Sequence, residues 1–213
     1  MTVACIVQAR FNSTRLPGKI MLRLPNGRLV IEEVLYRCKQ IPLVDVVVAA
    51  IADDAASDVI VAPSLAAGAA VVRGSETDVL ARYLAAAEQV GATEILRVTS
   101  DCPLIDPRLC GMVIQARRET GVDYACNNMP ATFFHGSDCE VFTIDCLRRA
   151  AQIGDDAYPE NREGVDVWMR ESPDVTRYSL VRNGPSQRHI RLTLDTPEDW
   201  TAICTEFTAR MGA

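Results

Sequence analysis

The chain has 213 residues, of which 48% are hydrophobic, and its 28 acidic and 22 basic side chains give a net charge of -6. A domain takes roughly 100–200 residues, so residues 1–213 are expected to form one. The composition excludes disorder and fibrous repeats. The acidic balance, with no lysine-rich tail or basic stripe, argues against nucleic-acid partners, so any anionic ligand must be held locally.

Taken in chain order, residues 3–8 form a short apolar run that stops at a polar loop, which predicts a buried strand. Apolar residues at positions 30, 31, 34, 35 and 38 predict a helix over 30–40. A strand over 45–51, a helix over 57–67, a short strand over 70–73 and a helix over 77–90 follow. A fourth strand is expected over 94–99 and a helix over 107–120, with Pro107 in its first turn. Strand and helix alternating four times predict an α/β fold with a Rossmann-like, mostly parallel sheet and helices on both faces, a three-layer α/β/α arrangement. The second half is less regular. Strands are expected over 124–128, 140–144 and 176–182 and helices near 145–153, 160–171 and 197–209, extending the same sheet as one wall of a cleft.

The eight cysteines are scattered, no CxxC occurs and there are two histidines, so buried reduced thiols are expected rather than disulfides or structural zinc. The opening MTVACIVQAR is too short in its apolar part for a signal peptide, and no run approaches the roughly 18 apolar residues of a membrane span. A cytoplasmic protein with no membrane partner is expected.

Ligands of parallel sheets bind beyond the carboxyl ends of the strands. Directly after the first strand comes QARFNSTRLPGK, residues 8–19, in which Arg10, Arg15 and Lys19 are interleaved with Ser13, Thr14 and Gly18. At an effective dielectric near 20, each cation about 4 Å from a phosphate charge gains up to about 4 kcal/mol before desolvation. Three cations are thus proportionate to one nucleoside triphosphate, with Gly18 admitting the backbone and Ser13 and Thr14 adding hydroxyls. An ordinary solvated loop accounts for the spacing about as well, and the stretch is not GxxxxGK[ST]. Asp101 closes the fourth strand, and Asp195 ends the alternating RLTLDT run of 191–196. Either aspartate alone reads as a helix cap. Together, facing a triphosphate, they suit magnesium, which takes one or two carboxylates and completes its shell with phosphate oxygens and water.

At these residues the chain resembles the sugar cytidylyltransferases, most of all the branch named for spore-coat polysaccharide biosynthesis and more distantly the 3-deoxy-manno-octulosonate and acylneuraminate enzymes. The matching stretches are residues 8–19, VVRGSETDVLARY (71–83), TSDCPLIDP (99–107), GSDCEVF (136–142) and LDTPEDW (194–200). The resemblance implies the nucleotide-diphospho-sugar transferase type of fold. The implied reaction joins CTP to a sugar acid or related acceptor, giving a CMP-sugar and pyrophosphate for surface polysaccharide. It places Arg10, Ser13, Arg15 and Lys19 on the β and γ phosphates, with Arg15, Lys19 and Asp101 catalytic. The backbone of residues 8–10, Ala9 at its middle, lies by the cytosine, Asp101 and Asp195 hold Mg2+, and Arg73, Ser75, Asp78 and Arg82 frame the nucleotide. Similar enzymes are commonly homodimers. Asp138 and Glu140, with Phe142, match a D-x-E-x-F that suits acceptor hydroxyls or an amine, the alternative being an exposed edge-strand face. His135, just before it, reads as a solvent-facing loop histidine or an acceptor contact. In PENREGVDVW, 159–168, Gly164 stands where the branch usually has histidine, which predicts a kinked or rebuilt helix. Two other functions remain open: a glycosyltransferase using a nucleotide sugar, against which Asp53 and Asp54 are adjacent rather than spaced as DxD, and an inactive nucleotide-binding homologue.

Overall fold

The computed structural model describes residues 1–153, 157, 158 and 160–212, so Pro159 of the PENREGVDVW stretch lies outside the described residues. Four strands, β1 (Val3–Ala9), β2 (Val46–Ala52), β3 (Ala70–Gly74) and β4 (Glu94–Thr99), pair in parallel. Three more, β5 (Tyr124–Cys126), β6 (Glu140–Thr143) and β7 (Arg177–Ser179), complete one sheet of order β3-β2-β1-β4-β6-β5-β7. β6 runs antiparallel to both of its neighbours. The expected three-layer α/β/α fold is observed, and its second half does continue the sheet.

The layers follow from period-two alternation along the strands. Val3, Cys5, Val7 and Ala9 of β1 face the apolar sides of α1 (Val30–Cys38), α4 (Pro107–Thr120) and α8 (Pro197–Met211). Ala4 and Ile6 face the other way, onto α3 (Val79–Gln89), α5 (Ile144–Gln152) and α7 (Val167–Glu171). Burying each such aliphatic side chain contributes about 1.5–3 kcal/mol, which fixes β1 in the interior of the sheet, between β2 and β4. Seven of the eight cysteines are buried and none forms a disulfide. Among the described residues no helix is long and apolar enough to cross a membrane.

Four local expectations are corrected. Residues 57–67 are a 3-10 turn (Ala55–Ile60) followed by α2 (Val61–Ala66), because Pro63 has no N–H with which to carry an α-helical ladder through. The 160–171 helix is broken, as Gly164 led us to expect, into α6 (Asn161–Gly164) and α7. At the break Val165, fully buried, takes φ 66, a strained conformation for a β-branched residue. The Tyr124 hydroxyl anchors the next residue, donating to Asp166 at 2.8 Å. Residues 191–196 form no regular strand but cross the end of the sheet, where Leu192 N donates to His135 O (2.7 Å) and Leu194 N to Asp101 O (2.8 Å). Finally, the 138–142 stretch is not an edge: β6 lies between β4 and β5. Only glycine fits the approach to it, since at Gly136 (φ 110) a Cβ would lie 2.5 Å from the carbonyl oxygen of Leu192.

Candidate nucleotide and metal site

The loop after β1 is folded over its own Phe11. Gly18 N and Ser13 N both donate to Phe11 O at 3.0 Å, and Phe11 N donates to Ser57 Oγ at 3.1 Å. Gly18 takes φ 70 with the Phe11 ring where its Cβ would be, so it serves this turn and stays off the cavity wall. The turn delivers Lys19 to the start of a short 3-10 helix, pointing inward. Its ammonium donates to Asp101 Oδ2 at 2.6 Å and to Asp195 Oδ1 at 2.9 Å. Residues 82 and 176 positions away in sequence thus meet on one nitrogen, and by the triangle inequality the two carboxylate oxygens are no more than about 5.5 Å apart.

Asp195 is free for this because Thr196 caps α8 instead. Asp199 N donates to Thr196 Oγ1, and the Asp199 carboxylate accepts from Asp195 N and Thr196 N at 2.9 and 3.0 Å. Asp195 also pairs with Arg15 (2.8 Å) and Arg191 (2.5 Å), and Arg191 with Asp199 (3.0 Å). Burial pushes the Asp195 pKa up, but Lys19, Arg15 and Arg191 more than reverse this and hold it below the ordinary value. Asp199 is likewise lowered, burial being outweighed by Arg191 and two backbone donors. Burial works against the Lys19 charge too, and the two aspartates more than restore it, raising its pKa.

The sign of the pH dependence follows. A carboxylate depressed in the folded state stabilises it above the unfolded pKa of about 4 and loses that contribution as pH falls through the folded value. Wild type should therefore melt higher than Asp199→Asn at pH 7, and the gap should close as pH falls below about 4. A gap in melting temperature that stays constant from pH 7 to 3 would show that these pairs carry no linked stability.

A cavity of about 180 Å³ opens at this strand edge, lined by Ala9, Arg10, Ser13, Thr14, Arg15, Lys19, Arg82, Asp101 and Asp195 among others. Arg82 is 2% exposed and has no carboxylate partner among the described residues, its Nη1 donating to Ser75 O at 2.9 Å and its Nε to nothing. Burial, joined by repulsion from Arg10, holds its pKa below the usual arginine value. A buried guanidinium that keeps donors unused beside Arg10 is suited to taking an anion. Among the described residues Arg10 is engaged only by Glu163 of α6 at 3.6 Å, an exposed pair of little strength.

Three predicted contacts are placed elsewhere. Arg73 turns away, its Nη1 on Asp58 (2.7 Å) and its Nη2 on Asp54 O (3.0 Å). Asp78 caps α3 through Ala81 N at 2.8 Å and pairs with Arg162 at 3.5 Å. Ser75 Oγ accepts from Asp78 N at 3.0 Å. These three residues are not among those that line the cavity. The sequence reading put the backbone of residues 8–10 at the site but gave the Gln8 side chain no role, and the structure sets Gln8 at the cavity wall with a buried Oε1 that accepts from no donor. A polar residue ending a wholly apolar strand was the available signal.

Beside this cavity lies a second of about 450 Å³, which shares Arg15, Thr99, Asp101 and Asp195 with it. Asp138 and Glu140 do line this second space. Asp138 accepts from Gly136 N (3.0 Å) and lies 2.9 Å from His135 Nδ1. Glu140, 3% exposed, is held by Arg97 Nη1 at 3.0 Å and Asn128 Nδ2 at 2.8 Å. Among the described residues no three His, Cys, Asp or Glu side chains converge as a metal cluster, so an ion here would rest on Asp101 and Asp195.

The family model for cytidylyltransferases matches residues 4–163. The chain belongs to the cytidylyltransferase family. Its nucleotidyltransferase fold places the family's stretches on both sides of the cavity described above. This cytidylyltransferase is 34% identical over 207 residues to the spore coat polysaccharide biosynthesis protein SpsF of Bacillus subtilis, covering 93% of this chain and 83% of that one. The solved structure of a cytidylyltransferase from Leptospira borgpetersenii superposes with a TM-score of 0.90 at 29% identity, covering 98% of this chain and 87% of the other. That of a CMP:2-keto-3-deoxy-manno-octonic acid synthetase in complex with CTP superposes with a TM-score of 0.73 at 18% identity, covering 99% and 100%, and shares the fold.

Proposed function

We propose that this cytidylyltransferase joins CTP to a hydroxyl of a sugar acid or related acceptor, with Mg2+, releasing pyrophosphate and a CMP-sugar for surface polysaccharide. The observation that carries this reading is the convergence of Arg10, Arg15, Lys19 and Arg82 on one cavity with Asp101 and Asp195. Four cations suit a triphosphate, and the two carboxylates supply the hard oxygen donors that magnesium prefers. The donor set therefore fits the ion, and when bound it would polarise the α phosphorus as a Lewis acid. Lys19 holds the position between the carboxylates in the ligand-free chain, and the arriving triphosphate draws its ammonium onto the phosphates. There it stabilises the charge developing on pyrophosphate, together with Arg15, while Arg10 and Arg82 fix the nucleotide for in-line attack. The names of the relatives, a spore-coat polysaccharide protein and a synthetase bound to CTP, support the substrate class. We take the enzyme to act in the cytoplasm as a homodimer.

The test is pyrophosphate release with each of the four nucleoside triphosphates, magnesium and a panel of sugar acids. Release with CTP and an acid acceptor is the expected result. Sugar transfer from a nucleotide sugar without pyrophosphate would establish a glycosyltransferase instead, and CTP binding without turnover across the panel an inactive homologue.

A further inference from the structure

The carboxylates on the wall of the 450 Å³ cavity all have partners, whereas its arginines do not use their full donor sets. Asp101 is engaged by Lys19, Asp195 by Lys19, Arg15 and Arg191, Asp138 by His135 and Gly136 N, and Glu140 by Arg97 and Asn128. Arg170, carried by α7, makes no side-chain hydrogen bond or ion pair among the described residues. Arg97 spends Nη1 on Glu140, and its Nε, buried, donates to nothing. Burial alone would weaken the Arg97 charge, but Glu140 and Asp166 more than compensate and keep it fully protonated. Asn128, on the same wall, donates to Glu140 through Nδ2, which fixes its amide orientation and leaves Oδ1 buried without a donor. A guanidinium that keeps donors unused at a cavity wall is suited to an anionic ligand group.

We propose that Arg170, with Arg97, binds the anionic group of the acceptor, a carboxylate. This rests on the cytidylyltransferase reading, since it takes the second cavity as the acceptor's. It also reverses the emphasis drawn from D-x-E-x-F: Glu140 orients the arginine, and the guanidinium meets the substrate. A guanidinium offers five donors in a rigid fork that matches a carboxylate in two bonds, which an ammonium reproduces only as a point charge.

The residue to change is Arg170, which lies on the cavity wall and outside the buried Arg97–Glu140 pair. The probes are D-gluconate, a six-carbon sugar acid, and D-sorbitol, its uncharged counterpart, each added with CTP in the presence of EDTA and followed by ligand-observed NMR. CTP binding is measured on the same samples. Gluconate should bind wild type and bind Arg170→Met about tenfold or more weakly. Arg170→Lys should recover part of the loss, CTP affinity should be equal in all three proteins, and sorbitol should not distinguish them. Equal gluconate affinity in wild type and Arg170→Met, sorbitol binding as tightly as gluconate, or a wild type that binds CTP but no gluconate would each overturn the assignment. A protein that binds no CTP at all would overturn the cytidylyltransferase reading, and this inference with it.

Discussion

Replacing Asp101 by asparagine is expected to lower kcat by roughly 10²–10³-fold while leaving the fold intact. Asparagine keeps the shape of the side chain and an oxygen for Lys19 Nζ, now 2.6 Å from Oδ2, but removes one of the two negative charges offered to the metal. Lewis-acid stabilisation by a bound ion is worth several kcal/mol, and each 1.4 kcal/mol is about tenfold in rate. The melting temperature should move by only a few degrees, because Lys19 retains its bond to Asp195 at 2.9 Å and no apolar core contact is lost. Steady-state pyrophosphate release and a thermal melt on the same preparation decide the matter. An Asp101→Asn protein that turns over at the wild-type rate and still needs magnesium would remove Asp101 from the metal site.

Lys19→Met should produce two effects of opposite sign. Turnover falls by about a hundredfold, because the ammonium no longer neutralises the leaving pyrophosphate. Affinity for Mn2+ in the absence of nucleotide rises by about tenfold or more, because a positive charge within 3 Å of both carboxylates has been taken away. Electron paramagnetic resonance of free Mn2+ measures the second effect directly. A simple folding defect would weaken both functions together, so the opposed signs are the diagnostic. If Lys19→Met binds nucleotide-free Mn2+ no better than wild type, the lysine does not occupy the ion's place.

What the sequence disclosed, and what it concealed, divides along the distance between interacting residues. β1 to β4 and the helices α1 and α3 were legible because each is a local apolar pattern: a continuous run for a doubly buried strand, 3.6-residue spacing for a helix. The loop of residues 8–19 was legible because all its cations lie within one short stretch. The break at Val165 was foreshadowed by Gly164, although its form, a buried valine at φ 66, depends on tertiary contacts such as Tyr124 with Asp166. Residues 191–196 alternate like a strand, yet they close over the end of the sheet because their partners are His135 and Asp101 rather than a neighbouring strand.

The ion pairs were the least legible part. Nothing local announces that Glu140 is neutralised by Arg97, 43 residues earlier, or that Arg73 pairs with Asp58. Asp78 and Ser75 carry a motif resemblance, but their side chains serve the amino terminus of α3. Arg97 did leave a trace, being a lone cation inside the apolar strand EILRVT, where a buried charge demands a partner. Arg170 left none, since an arginine in a short amphipathic helix is an ordinary surface residue until the fold turns it toward a cavity.

The central claim is that the amino-terminal cations and the two remote aspartates enclose one metal-bound CTP. The most direct measurement is a crystal structure with CTP and Mn2+, read by the anomalous signal of manganese. The account predicts one ion ligated by both Asp101 and Asp195 and by a phosphate oxygen, with Lys19 Nζ moved from the carboxylates onto the triphosphate and Arg82 within reach of it. An ion bound away from these aspartates, or a triphosphate lying outside the loop of residues 10–19 with Lys19 still between Asp101 and Asp195, would contradict it.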